Sequence, residues 1–213
     1  MDVQEIAPRL WHWTAPHPDW KPSNRGKDGL GWDQTVSSYA LVADDSFVLI
    51  DPLVPEDEGD AAGLWAELDR DVEAHGPPAI LISVHWHARS ADEIAGRYDG
   101  STVWAPADAP KGVHARMYAT GDELPGGIRV FDVGMPGERA LYLPSHKAIL
   151  FGDAVLDGVR LLPRSWLEKG MTRQNVADAL RPLLDEEIDL LLLTHGGPVT
   201  DGAREKLESA LEV

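Results

Sequence analysis

The sequence predicts an α/β fold. Two short, predominantly apolar runs carry that expectation, residues 79–84 and 188–193. Each is too short for a typical helix, and Pro77-Pro78 bars the first from extending backwards. A third apolar run, Ala148 to Phe151, stops abruptly at Gly152-Asp153. Between these runs lie segments whose apolar residues return every three or four positions, the spacing of a helix that buries one face. Buried strands joined by helices make a sheet whose carboxyl edge commonly carries the chemistry.

In chain order, residues 6–13 alternate enough for an edge strand, with Pro8 tolerated near its start. Residues 14–34 read as a long Pro/Gly/Asp/Lys-rich loop, a length usually found in lids or binding loops. Trp11, Trp13, Trp20 and Trp32 place half of the eight tryptophans in the first 32 residues. They are read either as an aromatic wall over a pocket or as anchors that pin the loop. Val36–Val42 and Phe47–Ile50 form a hairpin that closes at Asp51-Pro52. Asp57 to Glu73 has Ala61, Leu64, Trp65, Leu68 and Val72 on one helical face. After the first apolar run, Ser90-x-x-Glu93 is a capping-box pattern opening a helix with Ala91, Ile94, Ala95 and Tyr98 inward. Strands are expected at 102–105, 128–133, 140–143 and 148–151; residues 108–120 give no clear signal. A helix at 175–184, loosened by Pro182, the strand 188–193 and a helix at 202–211 complete the chain.

Composition narrows the function. At 213 residues, 43% hydrophobic and 26% charged, the chain suits one ordinary globular domain spanning 1–213. Nineteen Lys and Arg against 36 Asp and Glu give a formal net charge of −17, which disfavours nucleic acid or an anionic membrane as partner. No run approaches the ~20 apolar residues of a membrane helix. The N-terminus lacks the layout of a secretory signal, so the cytoplasm is the expected address. Cysteine is absent. Any metal must therefore sit among nitrogen and oxygen ligands.

Three apolar strands thus deliver polar residues at their carboxyl ends. The first runs into His85-Trp86-His87, the second into Asp153, the third into Thr194-His195-Gly196-Gly197. Two imidazoles two residues apart on such a turn can ligate one transition metal. The glycines after His195 allow a sharp turn and a close backbone approach.

In this order of pieces the sequence resembles the metallo-β-lactamase fold superfamily. Ser38-Tyr-Ala-Leu-Val with Phe47-Val-Leu-Ile-Asp51-Pro looks like its N-terminal hairpin. Residues 79–94 look like its Thr-His-x-His-x-Asp-His metal motif, and Pro136-Gly137-Glu138 falls where the family has Pro-Gly-His. Leu150-Phe-Gly-Asp153 and Thr194-His195-Gly-Gly look like its later ligand motifs. The resemblance implies an αββα sandwich with the site at one edge, between the sheets. It implies metal-assisted hydrolysis with zinc or iron.

The departures from that pattern limit the chemistry. In one register His85 and His87 stand for the first two histidines, Arg89 for the aspartate, Ser90 for the next histidine and Glu138 for the third. In another, aligned on Ser83, the histidines shift by one and Trp86 takes a ligand place. His146 lies on a hairpin turn and is expected at the surface. His85, His87 and Glu138, with Asp153 and His195, are the expected metal ligands, for one ion at most. Asp153 and His195 are the expected catalytic groups, Arg89 and Trp86 the substrate-binding ones. Arg89, a permanent cation, is expected to pair with Asp153 or Glu138 in place of a second metal. Three readings follow: a single-metal hydrolase of a small-molecule ester, thioester, amide or phosphoester; a metal-free relative holding a small anionic or carbonyl ligand; and a homo-oligomer built on the tryptophan-rich N-terminus.

Overall fold

Two β-sheets face each other across an apolar seam, and helices cover both outer faces. The computed structural model describes residues 2–26, 30–43, 46–107 and 114–213. The first sheet takes β1 (Gln4–Ala7), β2 (Leu10–Pro16), β3 (Thr35–Ala43), β4 (Ser46–Ile50), β5 (Ala79–Leu81), β6 (Thr102–Pro106) and β7 (Arg116–Tyr118) in sequence order. Its first four strands run antiparallel and its last four parallel. Helix α1 (Glu58–His75) joins β4 to β5, and α2 (Ala91–Arg97) joins β5 to β6. The second sheet contains β8 (Glu123–Leu124), β9 (Ile128–Asp132), β10 (Arg139–Leu143) and β11 (Ala148–Phe151). A ribbon, β12 (Val155–Leu156) with β13 (Arg160–Leu161), and α3 (Arg173–Leu180) lead to β14 (Leu190–Leu193) and α4 (Ala203–Ala210). Strand β14 lies parallel to β11 at the edge of that second sheet.

The residues alternate as this stacking requires. On β11 and β14, Ile149, Phe151, Leu191 and Leu193 pack beneath α3 and α4 with Val176, Leu180 and Leu207. Their neighbours Ala148, Leu150, Leu190 and Leu192 face the seam and meet Leu41, Val48, Ile50 and Leu81 of the first sheet. The other face of that sheet, with Leu49, Ile80 and Ile82, lies under Leu64, Leu68 and Ile94 of α1 and α2. Both faces of the central strands are dry, which is why they read as continuous apolar runs. The expected αββα sandwich is the observed architecture.

Local signals mostly act as read. Asp57 caps α1, its side chain accepting from Gly59 N and Asp60 N. Thr172 and Asn175 form a capping box on α3, which gives way at Arg181 to a tighter turn containing Pro182. Other elements differ. The expected edge strand 6–13 is a hairpin, because Arg9 adopts φ 62 and reverses the chain after Pro8. Ser90 does not cap α2; its hydroxyl accepts instead from Val54 N at 2.9 Å, tying that helix to the segment after β4. The first apolar run pairs as a strand only over Ala79–Leu81, since Val84 leaves the sheet to bridge Glu138. Residues 44–45 of the hairpin turn and 108–113 of the uncertain stretch lie outside the described residues, while 116–118 form β7. No described helix is long and apolar enough to cross a membrane.

The two sheets are joined at one edge. Val84 bridges Glu138, His85 N donates to Gly137 O and Arg139 N to Ser83 O, both at 2.9 Å. Ser37 N donates to Thr194 O at 2.9 Å, and the buried Tyr39 hydroxyl donates to Leu193 O at 2.9 Å. These bonds hold the carboxyl ends of β5, β11 and β14 together. Replacing Tyr39 by Phe leaves the Leu193 carbonyl without that donor in a dry seam, which should cost about 1–2 kcal/mol. Urea unfolding is expected to show a lower midpoint at unchanged slope; an unchanged midpoint would contradict this bonding across the seam.

Candidate metal centre

Three side chains converge at this edge: His87 after β5, Asp153 after β11 and His195 after β14. All are buried, and one ligand-capable atom from each lies within 4.8 Å of the others. His195 Nε2 stands 3.0 Å from Asp153 Oδ1, and His87 Nε2 stands 3.4 Å from the same oxygen. Ligands at tetrahedral corners about 2.0–2.1 Å from zinc would be roughly 3.3 Å apart. Asp153 Oδ1 is buried and has no hydrogen-bond partner, so the two close nitrogens face it without donating along the required line. An orphaned carboxylate oxygen between two imidazole nitrogens fits a shared cation. The donor set, two nitrogens and one oxygen, suits zinc or ferrous iron.

Each of the three is oriented by a second contact. His87 Nδ1 lies 3.1 Å from Asp51 Oδ2. Asp51 is itself fixed by Ser83 N at 2.8 Å and by the Ser83 hydroxyl. A carboxylate accepting from Nδ1 leaves Nε2 as the ring's free ligand atom, the usual support for a metal-binding histidine. Asp51 adopts φ 47, a left-handed conformation that Asp tolerates better than most residues. The second oxygen of Asp153 accepts from Trp86 Nε1 at 2.9 Å. His195 packs against the Trp32 ring at 4.9 Å.

Electrostatics follow from this crowding. Burial would raise the Asp153 carboxyl, but the imidazoles of His87 and His195 outweigh it and hold the group well below the usual carboxylate range. Burial and the Arg89 charge oppose protonation of His87, yet Asp153 and Asp51 prevail and lift it to about 9. His195 is lowered, chiefly by burial, with Asp153 pulling the other way. A cavity of about 460 Å³ opens over the set, walled by Trp32, Trp86, Trp166 and Met135 and rimmed by His17. Its size is that of a small-molecule site.

Of the other expected site residues, Trp86 lines the cavity over the set, while His85, Arg89 and Glu138 do not. The His85 ring packs against Gly137, where an added Cβ would fall 1.9 Å from Nδ1, and meets the Trp86 ring edge-on at 4.2 Å. His85 is not among the clustered ligand atoms. Glu138 is not either: its Oε1 accepts from Asp153 N at 2.8 Å and Ala154 N at 2.7 Å, so it cradles the turn that carries Asp153. Arg89 forms no ion pair with Asp153 or Glu138. Its Nη1 donates to Asp51 O at 2.7 Å and Ser37 O at 2.9 Å, closing strand-end carbonyls, while Asp153 is already engaged by the indole and imidazoles. Arg89 does not line the cavity over the set. Trp86 does line it and donates to Asp153 Oδ2. His146 is only partly buried, on the turn after β10, bonded to Pro8 O.

The tryptophans divide between the two readings: Trp32 walls the cavity, while Trp13 is buried with its indole donating to Leu53 O at 3.0 Å. Sequence reasoning does not single out Asp51, Trp166, Met135 or His17 as site residues. Only Asp51 carries a signal, a carboxylate ending an apolar strand before proline.

Glu138 is pushed up to about 8, first by burial and then by the Asp153 charge. In metal-stripped protein the folded chain therefore holds a proton there that the unfolded chain releases near its ordinary value of 4.5. This contribution to stability is complete at low pH and is lost as pH rises from about 4.5 to about 8. Glu138→Gln, neutral throughout, is expected to gain on wild type across that window in urea midpoints. Parallel profiles would show that Glu138 is not held protonated.

No protein-family model and no curated protein matches the sequence. Solved structures do match over the whole fold. A metallo-β-lactamase from Pontibacter korlensis is similar at TM-score 0.70 and 15% identity, covering 99% of this chain and 98% of its own. A metallo-β-lactamase family protein from Thermus thermophilus gives TM-score 0.63 and 19% identity, covering 96% of this chain and 79% of its own. TTHA1623, solved in a di-iron-bound form, gives 0.61 and 21%, covering 82% and 92%. Sheet order, layering and these likenesses agree: the chain has the metallo-β-lactamase fold.

Proposed function

We propose that the protein is a hydrolase of small molecules working with one zinc or iron ion held by His87, Asp153 and His195. The observation that carries this reading is the buried Asp153 Oδ1, without a hydrogen bond and facing two imidazole nitrogens. An ion bound there would lower the pKa of its water and polarise a carbonyl or phosphoryl oxygen. The chain's own residues supply the rest. Asp51 holds His87 in the tautomer that presents Nε2, and Trp86 keeps Asp153 from rotating. Trp32, Trp166 and Met135 offer apolar surface to a substrate and exclude bulk water around the reacting bond. His17, whose Nδ1 accepts from Asp19 N at 3.2 Å, stands at the rim with Nε2 as its remaining hydrogen-bonding atom. Arg89 serves as a brace, not as a substrate group.

A second reading has its own observation. With His87 lifted to about 9, a proton on that imidazole balances Asp153 at neutral pH without a metal. The same cavity would then bind a carbonyl-bearing or anionic ligand without cleaving it.

Metal analysis of protein purified without a histidine tag separates the two. The hydrolase reading expects about one zinc or iron per chain. Asp153→Asn and His195→Ala should lose it, and Glu138→Gln should keep it. Asp51→Asn should weaken metal affinity about 10–100-fold through loss of the support to His87. Hydrolysis of an ester or phosphoester panel should vanish on chelation and return with zinc or iron. No stoichiometric metal, together with activity indifferent to chelators, would overturn the reading.

A further inference from the structure

A cavity larger than the one over the metal set lies away from it. About 830 Å³ in volume, it lies between the β12–β13 ribbon, the start of α3 and the end of α4. Its charged lining is Arg160, Arg164, Arg173 and Lys206, against the single acidic side chain of Glu212. Four basic side chains to one acidic side chain inverts the balance of a chain with 19 bases and 36 acids. None of the four forms an ion pair among the described residues. Arg160 donates instead to the carbonyls of Leu30 and Gly31, and Lys206 to that of Asp201. Arg173 Nε is buried and has no hydrogen-bond partner. In a protein this acidic, arginines are easily matched by surface carboxylates, so four cations gathered without an ion pair fit an anion from outside.

We propose that this cleft binds the phosphate group of a small molecule. Guanidinium groups present planar, paired donors that match phosphate oxygens two at a time, and three of the four cations are arginines. Size and field narrow the choice further. The volume falls within the range of small-ligand sites. A net charge of −17 repels extended polyanions such as nucleic acid at long range, while a compact anion feels mainly the local cations. Thr172 and Gln174, at the start of α3, add polar groups to the same wall. The inference is independent of the metal set, since none of His87, Asp153 or His195 lines this cleft. Arg160 also lines a neighbouring cavity shared with Trp32 and His195, and its two bonds fasten the loop that carries Trp32.

Calorimetric titration of the full chain with inorganic pyrophosphate tests the assignment. One pyrophosphate per chain is expected to bind saturably. Arg164→Ala with Arg173→Ala should weaken binding by at least about tenfold, and Glu212→Gln should tighten it. His195→Ala, which disables the metal set, should leave it unchanged. Arg164 and Glu212 are exposed, so their variants report on binding and not on folding. Absence of saturable binding below a Kd of roughly 1 mM would overturn the proposal. So would binding that survives the double arginine variant, or that disappears in His195→Ala.

Discussion

A carboxylate buried between two imidazoles is the constraint on which the site depends. Asp153 cannot stay ionised in a dry interior without a positive partner. Among the described residues no lysine or arginine pairs with it, only His87, His195 and the Trp86 indole. The balancing charge must therefore be a proton on an imidazole or a metal ion between the three groups. Either answer makes the site responsive to its surroundings, and the choice between them separates the two proposed functions.

The scaffold serves that constraint through its strand ends. Parallel pairing of β4 with β5 and of β11 with β14 delivers Asp51, His87, Asp153 and His195 to one edge. Bonds across the seam, from Tyr39, Ser37 and the Val84–Glu138 bridge, then lock the two sheets in the relative position that the cluster needs. Glu138 takes part as a neutral cradle for the turn at Asp153, and Arg89 as a clasp between the ends of β3 and β4. Both residues thus support the backbone beneath the site. Arg89 does so from a left-handed backbone, φ 42, of the kind that persists only where neighbours over-determine it.

Much of this was legible in the sequence because it is written in local patterns. Apolar runs that stop at a single polar residue marked Asp153, His87 and His195 and the edge that gathers them. Helical spacing marked α1, α3 and α4. What escaped depends on contacts between distant segments. Nothing near Glu138 says that its carboxylate meets two backbone N–H groups instead of the cavity. Nothing near His85 says that Gly137 makes room for its ring. The His-x-His spacing suggested a pair, whereas the turn after β5 puts His87 in the cluster and seats His85 against Gly137. The β1–β2 reversal was hidden because Arg9 is not a residue that advertises a left-handed turn.

Nitrogen-15 spectra of the imidazoles during a zinc titration test the central claim most directly. If His87, Asp153 and His195 share a cation, the Nε2 signals of His87 and His195 shift together and saturate at one equivalent, while His85 stays where it was. Movement of His85 with His87, or no response from His195, would contradict the account.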